Sequence, residues 1–288
     1  MLVWIKQLRV KDWIKNLFIF LPAFFAGEVT NRLVFVELIS AFFCFSFICS
    51  AVYCLNDLKD VVYDRKHPKK KERPYAKGIV SKKQLLTAII TCLVAAGLLL
   101  TQLHHSTYYV ISGYILLQLL YSFLLKKFAI IDCVCIALGF VARIILGSLV
   151  IDVIGTSCII LLTFLLALYL AFAKRRSELA ILQNSETRQS LQHYTLSFLD
   201  AALMVSCTVT LVSYIMYTND SEVIARVGFP YFYIGSLFVI VGLLRHLQFT
   251  LQKSQTESPT DFLLKDKLTL VNIILWGIFN FIVIYKNG

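Results

Sequence analysis

Residues 56–78 read NDLKDVVYDRKHPKKKERPYAKG, an apolar stretch that closes in three aspartates and passes straight into a dense basic loop. On a helix at about 100° per residue, Asp60 stands about 60° from Asp57 and Asp64 within about 20° of it, so one face carries all three carboxylates. Like charges stacked this way destabilise a helix by about a few tenths of a kcal/mol per pair unless a cation intervenes. An all-oxygen set with Asn56 beside it suits Mg2+, which keeps several waters and draws remaining ligands from a substrate diphosphate. Asn56, Asp57, Asp60 and Asp64 are therefore the candidate metal ligands, and Lys69, Lys70, Lys71, Arg73 and Lys77 the adjoining candidates to receive phosphate oxygens. The alternative is a solvated helix rim whose basic residues only set topology. Topology needs the Lys and Arg, however, and not three Asp on one face.

Outward from this stretch the chain is built of long apolar runs. Its 288 residues are 58% hydrophobic and 16% charged, with a mean hydropathy of +0.75, which excludes a soluble domain and reads as a polytopic membrane protein. The net charge of +11 would suggest nucleic acid in a soluble chain. Here the basic residues lie in short loops between spans, so no nucleic-acid partner is expected. Windows long enough to cross about 30 Å of hydrocarbon give nine helices, near 16–29, 33–55, 84–103, 106–125, 128–150, 157–173, 197–217, 229–249 and 268–285. The expected fold class is all-α, a helical membrane bundle, and with no Gly- or Ser-rich linker residues 1–288 read as one domain. Of the 28 Lys and Arg, all but Arg32, Arg143, Arg226, Arg245 and Lys286 fall in the N-terminal segment and alternate connections. This bias puts the N-terminus and the aspartate loop on the cytoplasmic side of an inner (plasma) membrane. The opening MLVWIKQLRVKDWIKN reads as an interfacial amphipathic helix and not a cleaved leader. Eight cysteines inside or at the ends of apolar runs read as reduced packing residues, and residues 252–261 as a solvated loop.

Further charged groups are expected at the same membrane face. Arg9, Lys15 and Asn16 surround Trp13, and read as a topological anchor or an anion-binding group. Lys126 and Lys127 precede Asp132 at the start of the fifth helix, and AKRRSEL after the sixth supplies Lys174, Arg175, Arg176 and Glu178. Lys174 and Glu178 are spaced for an i,i+4 pair. Because a diphosphate with Mg2+ needs carboxylates and cations together, the expectation is one cytoplasmic-facing pocket drawn from helices one, two, four, five and six. Arg143 lies within a span, roughly 24 Å from Lys127 at 1.5 Å per residue. It is expected to be structural, with Gly139 and Gly147 letting a backbone approach and Glu37 as its partner.

The motif NDxxDxxxD at the end of the second helix resembles the UbiA-type intramembrane prenyltransferase superfamily, over nearly the whole chain. Within it, RVKDWIKN (9–16), the 56–78 stretch, IDCVCIALGFVARIILG (131–147) and LALYLAFAKRRSEL (166–179) resemble the polyprenyl-phosphate phosphoribosyltransferase branch. The resemblance implies a UbiA-like fold and Mg2+-dependent transfer of 5-phosphoribose from 5-phosphoribosyl 1-diphosphate to a polyprenyl (decaprenyl-like) phosphate in the membrane, releasing diphosphate. It puts the metal and catalytic role on the Asn56, Asp57, Asp60 and Asp64 motif, and phosphate contacts on Lys70, Arg73, Lys126, Lys174 and Arg175. Arg9, Lys15, Asn16 and Glu178 complete the candidate substrate-binding set. Two departures stand out: Val10 where relatives often have Pro, and a single acid in KRRSE where prenyl-transferring members carry a second aspartate motif. Two other readings stay open, transfer of an isoprenyl chain to an aromatic acceptor, and a transporter or lipid-binding protein. Against the last, the acids cluster at one membrane face and not near the midplane. The oligomeric state is open, a homo-oligomer included.

Overall fold

The computed structural model describes residues 2–66, 70–152, 157–181, 189–252 and 266–287. Among them the regular elements are all helical. They are α1 (Leu2–Gln7), a 3-10 stretch (Val10–Phe20), α2 (Leu21–Ala26), α3 (Arg32–Lys66), α4 (Lys82–Leu100), α5 (Ser106–Phe123), α6 (Ile131–Val150), α7 (Ser157–Ile181), α8 (Leu196–Thr218), α9 (Ser221–Val227), α10 (Gly235–Gln252) and α11 (Lys267–Asn287), with short 3-10 turns between some of them. Seven are long and apolar enough to cross a membrane: α3, α4, α6, α7, α8, α10 with the turn before it, and α11. The chain is a multi-pass membrane protein.

Two of the nine expected spans stand outside this set. The first, 16–29, is mostly not α-helix: Val10–Phe20 winds as 3-10, and Pro22 opens a six-residue α2 that Gly27 ends at φ 81°. So long a 3-10 run is uncommon. It is held by α3, where Trp13 Nε1 donates to Ser50 Oγ at 3.0 Å and Asn16 Nδ2 to Ser46 Oγ at 2.8 Å. The fourth, α5, has 18 residues rich in Ser and Tyr, and Tyr114 turns inward against Phe45 at 4.4 Å between ring centroids. Two helices overrun their expected ends. α3 continues from 55 to Lys66, and α7 from 173 to Ile181, so AKRRSEL rides on a helix instead of forming a loop. Neither contains Gly or Pro, so the loss of hydropathy at their ends does not break the backbone.

The chain forms two compact units, Met1–Phe123 with Ala142–Gly155, and Leu124–Val141 with Thr156–Gly288. In the first, α3 packs on α4 and the 3-10 stretch around Ile19, Leu38, Phe45, Ile48 and Leu146. Gly147 permits this closeness: a Cβ there would lie 2.0 Å from the carbonyl oxygen of Ile19. In the second, α7, α8 and α10 enclose Tyr169, Leu199, Leu203 and Leu243. Outward-facing Ile90, Val94 and Leu98 of α4, and Leu237, Val241 and Leu244 of α10, are exposed as a lipid-facing surface requires. The eight cysteines are free thiols and all but Cys158 are buried, in keeping with packing roles.

Candidate active site

Because α3 runs unbroken through Lys66, Asp57, Asp60 and Asp64 stand on successive turns of one helix, as the spacing requires. Asp57 and Asp64 are buried, while Asn56 and Asp60 are half-buried. The two buried acids meet on one positive centre. Arg73 Nη1 lies 3.1 Å from Asp57 Oδ1 and 2.5 Å from Asp64 Oδ2. Arg9 Nη2 makes a short contact with the same Asp57 oxygen, and Gln7 Nε2 donates to Asp57 Oδ2 at 3.0 Å. Among the described residues, no three acidic, His or Cys side chains already form a metal-holding group. The donor set nevertheless fits a hard divalent ion, because carboxylate oxygens from two helical turns already converge around a cation.

The basic loop is tied to this face by its backbone. Gln7, fully buried, also accepts the Tyr75 N–H through Oε1 at 3.1 Å, and Arg65 Nε donates to the Ala76 carbonyl at 3.1 Å. The loop ends in a capping box at Ser81 and Gln84 that starts α4, worth about 1 kcal/mol. Lys70 opens the described part of the loop half-buried, and Lys71 is exposed. Lys77 pairs with Glu72 at the surface. Lys69 lies outside the described residues.

At the N-terminal side, Arg9 sits in the left-handed region at φ 51° and starts the 3-10 stretch. Ser50 Oγ donates to the preceding Leu8 carbonyl at 2.8 Å, and the Arg9 guanidinium lies 4.7 Å above the Tyr53 ring. Lys15 pairs with Asp12 at 2.6 Å. Burial opposes its charge, but Tyr53 and Asp12 more than compensate, so its pKa is raised. Asn16 is buried away from the acids, donating to Ser46 and accepting from Arg143 Nε at 2.8 Å. Arg143 is thus a scaffold partner of the 3-10 stretch, also stacked 4.8 Å from the Phe45 ring. Glu37, its expected partner, is exposed on α3, eight residues or about 12 Å along the axis from Phe45. Lys59 was not anticipated: it donates to the Ser122 carbonyl at 2.8 Å and lies over Phe123, tying α3 to α5.

The second unit carries a charged cluster of another kind. Arg175 is buried, with Nε 2.6 Å from Asp132 Oδ2 and Nη1 2.5 Å from Glu178 Oε2. Tyr194 donates its hydroxyl to Asp132 Oδ1 at 2.9 Å and accepts the Ile130 N–H at 2.5 Å. Burial raises the Tyr194 pKa, so the phenol keeps its proton and remains a donor. Ile130 stands at φ 67°, a conformation that costs a β-branched residue about 1–2 kcal/mol. The Tyr194 bond holds it there. Arg176, unlike its neighbour, turns to Asp200 and the Thr250 carbonyl. Lys174 is exposed and 4.0 Å from Glu178, and Lys126 is half-buried in a 3-10 turn with the exposed Lys127.

Comparisons place this geometry in a family. Residues 16–273 match the UbiA prenyltransferase family. The chain is 28% identical to the decaprenyl-phosphate phosphoribosyltransferase of Corynebacterium glutamicum, over 94% of this chain and 83% of that protein. It is also 28% identical to the protein of the same name from Mycolicibacterium smegmatis, over 94% and 89%. The solved structure of a UbiA homolog from Archaeoglobus fulgidus bound to DMAPP and Mg2+ has the same fold, with a TM-score of 0.72, 16% identity and 98% coverage of both chains. With a match across most of its length and a shared fold, the chain belongs to the UbiA prenyltransferase family.

Proposed function

We propose that this UbiA-family transferase moves 5-phosphoribose from 5-phosphoribosyl 1-diphosphate to the phosphate of a polyprenyl lipid, at the cytoplasmic face of an inner membrane with its N-terminus inside. The observation that carries the reading is the convergence of Asp57 and Asp64 on a single cationic centre, with Arg9 and Lys70 on the same unit. The two relatives named as decaprenyl-phosphate phosphoribosyltransferases support the choice of donor and acceptor.

Asp57, Asp60 and Asp64, with Asn56 beside them, would hold Mg2+, which when bound supplies neutralisation for the charge developing on the departing diphosphate. Arg73, Arg9 and Lys70 orient the diphosphate oxygens. Positive charge held close to the departing diphosphate is what makes such electrostatics effective. Arg175 pairs with Asp132 and Glu178, and its proposed role is to fix them. A lipid phosphate is already anionic at neutral pH, so the acceptor needs no general base.

The experiment is a direct competition. Membranes containing the chain receive labelled 5-phosphoribosyl diphosphate with polyprenyl phosphate, or labelled isoprenyl diphosphate with an aromatic acceptor. Lipid-linked phosphoribose is the expected product. Turnover of only the isoprenyl donor would replace this reading with the prenyl-transfer one.

A further inference from the structure

We propose that Arg73 is an exchangeable counter-cation, which holds the acids of α3 together and withdraws from them as a divalent metal and a diphosphate enter. This rests on the divalent-metal reading above, but not on the identity of the donor. Three observations carry it.

First, one guanidinium nitrogen of Arg73 contacts carboxylates from two helical turns, Asp57 and Asp64. It thereby does what a bridging cation does. Second, its side chain keeps 28% of its surface exposed, whereas the two carboxylates keep 3% and 5%. The acids are fixed, and the arginine has room to leave. Third, the backbone on either side of that arginine is anchored independently of its side chain. The Arg73 N–H donates to the Lys70 carbonyl at 3.0 Å, Lys77 N–H donates to the Arg73 carbonyl at 2.9 Å, and Gln7 takes the Tyr75 N–H. Withdrawal therefore needs only side-chain rotation, with the loop remaining in place. Gln7, buried and bonded to both Asp57 and the loop, is the positioning residue of this arrangement.

With Arg73 withdrawn, the Asp57 and Asp64 oxygens that it bridged are open to a divalent ion. The released guanidinium then meets an incoming diphosphate, for which its planar fork is suited.

The test uses the full chain in lipid nanodiscs, with Mn2+ as the probe and no donor, free Mn2+ being read by electron paramagnetic resonance. A charge-assisted hydrogen bond lost as competitor corresponds to a gain of about ten- to a hundredfold in metal affinity, expected for Arg73→Gln. Arg73→Lys keeps the charge but bridges two carboxylates less well, and should fall between wild type and Arg73→Gln. It also serves as the readout should the Gln variant fail to fold. Adding inorganic diphosphate should tighten Mn2+ binding to wild type more than to Arg73→Gln, since only the former offers the released guanidinium. Equal or weaker Mn2+ binding by both variants, or none at all, overturns the proposal. Tighter binding by the variants in a protein that transfers no phosphoribose would refute the donor assignment and leave this inference standing.

Discussion

The two units each carry a buried carboxylate–guanidinium cluster, and they differ in which partner is locked. Around Asp57 and Asp64 the acids are buried while Arg9 and Arg73 stay partly exposed, at 22% and 28% of their side-chain surface. Around Arg175 the guanidinium and Asp132 are both sealed, at 1% and 0%. The first arrangement leaves cations able to exchange partners. The second is a closed cluster, in which removing Asp132 takes one carboxylate from a guanidinium in a medium that solvates it poorly. Charge content alone does not tell the two clusters apart; the exposure of their arginines does.

Substitutions that neutralise one acid in each cluster should therefore fail in different ways. Asp64→Asn keeps the shape of α3 but removes a charge opposite Arg73, and should lower turnover by about a hundredfold or more while the melting temperature stays close to wild type. Unfolding of this variant would make Asp64 a scaffold residue. Asp132→Ala leaves Arg175 with one carboxylate fewer in a buried setting, and should cost about 3–5 kcal/mol of stability, seen as loss of folded protein in detergent melts. Retained stability with lost turnover would move Asp132 into the chemistry. Gly147→Ala pushes a methyl into the Ile19 carbonyl; the repacking should cost about 1–3 kcal/mol and loosen the segment that carries Arg9. Smallest of all, Lys174→Ala removes an exposed pair with Glu178 at 4.0 Å. Its stability effect should stay below about 1 kcal/mol, so any sizeable fall in activity would show a substrate contact.

Much of this was legible in the sequence. Helical spacing put Asp57, Asp60 and Asp64 on one face, and apolar run lengths located most of the long helices. Where an apolar run ended but no Gly or Pro stood, the expected end came too early, as at 55 and 173, because hydropathy reports the solvent and not the backbone. The 3-10 winding of Val10–Phe20 was not legible, since it depends on Trp13 and Asn16 bonding to α3 some thirty to forty residues away. For the same reason Gln7 and Tyr194 went unnoticed. Each is an ordinary polar residue in its local context, and acquires its role only from partners fifty or more positions distant. Arg143, expected to be structural with Glu37 as its partner, donates instead to Asn16 and Cys49, which no local pattern in the sequence marks.

The central claim is that the aspartate face of α3 works with a divalent metal on a phosphoribosyl donor. Its most direct measurement is transfer of labelled phosphoribose to polyprenyl phosphate by the purified chain, assayed with Mg2+, after chelation, and after Mg2+ is restored. The account predicts product with Mg2+, none above background in chelator, and recovery on restoration. Product formed undiminished in chelator would contradict it.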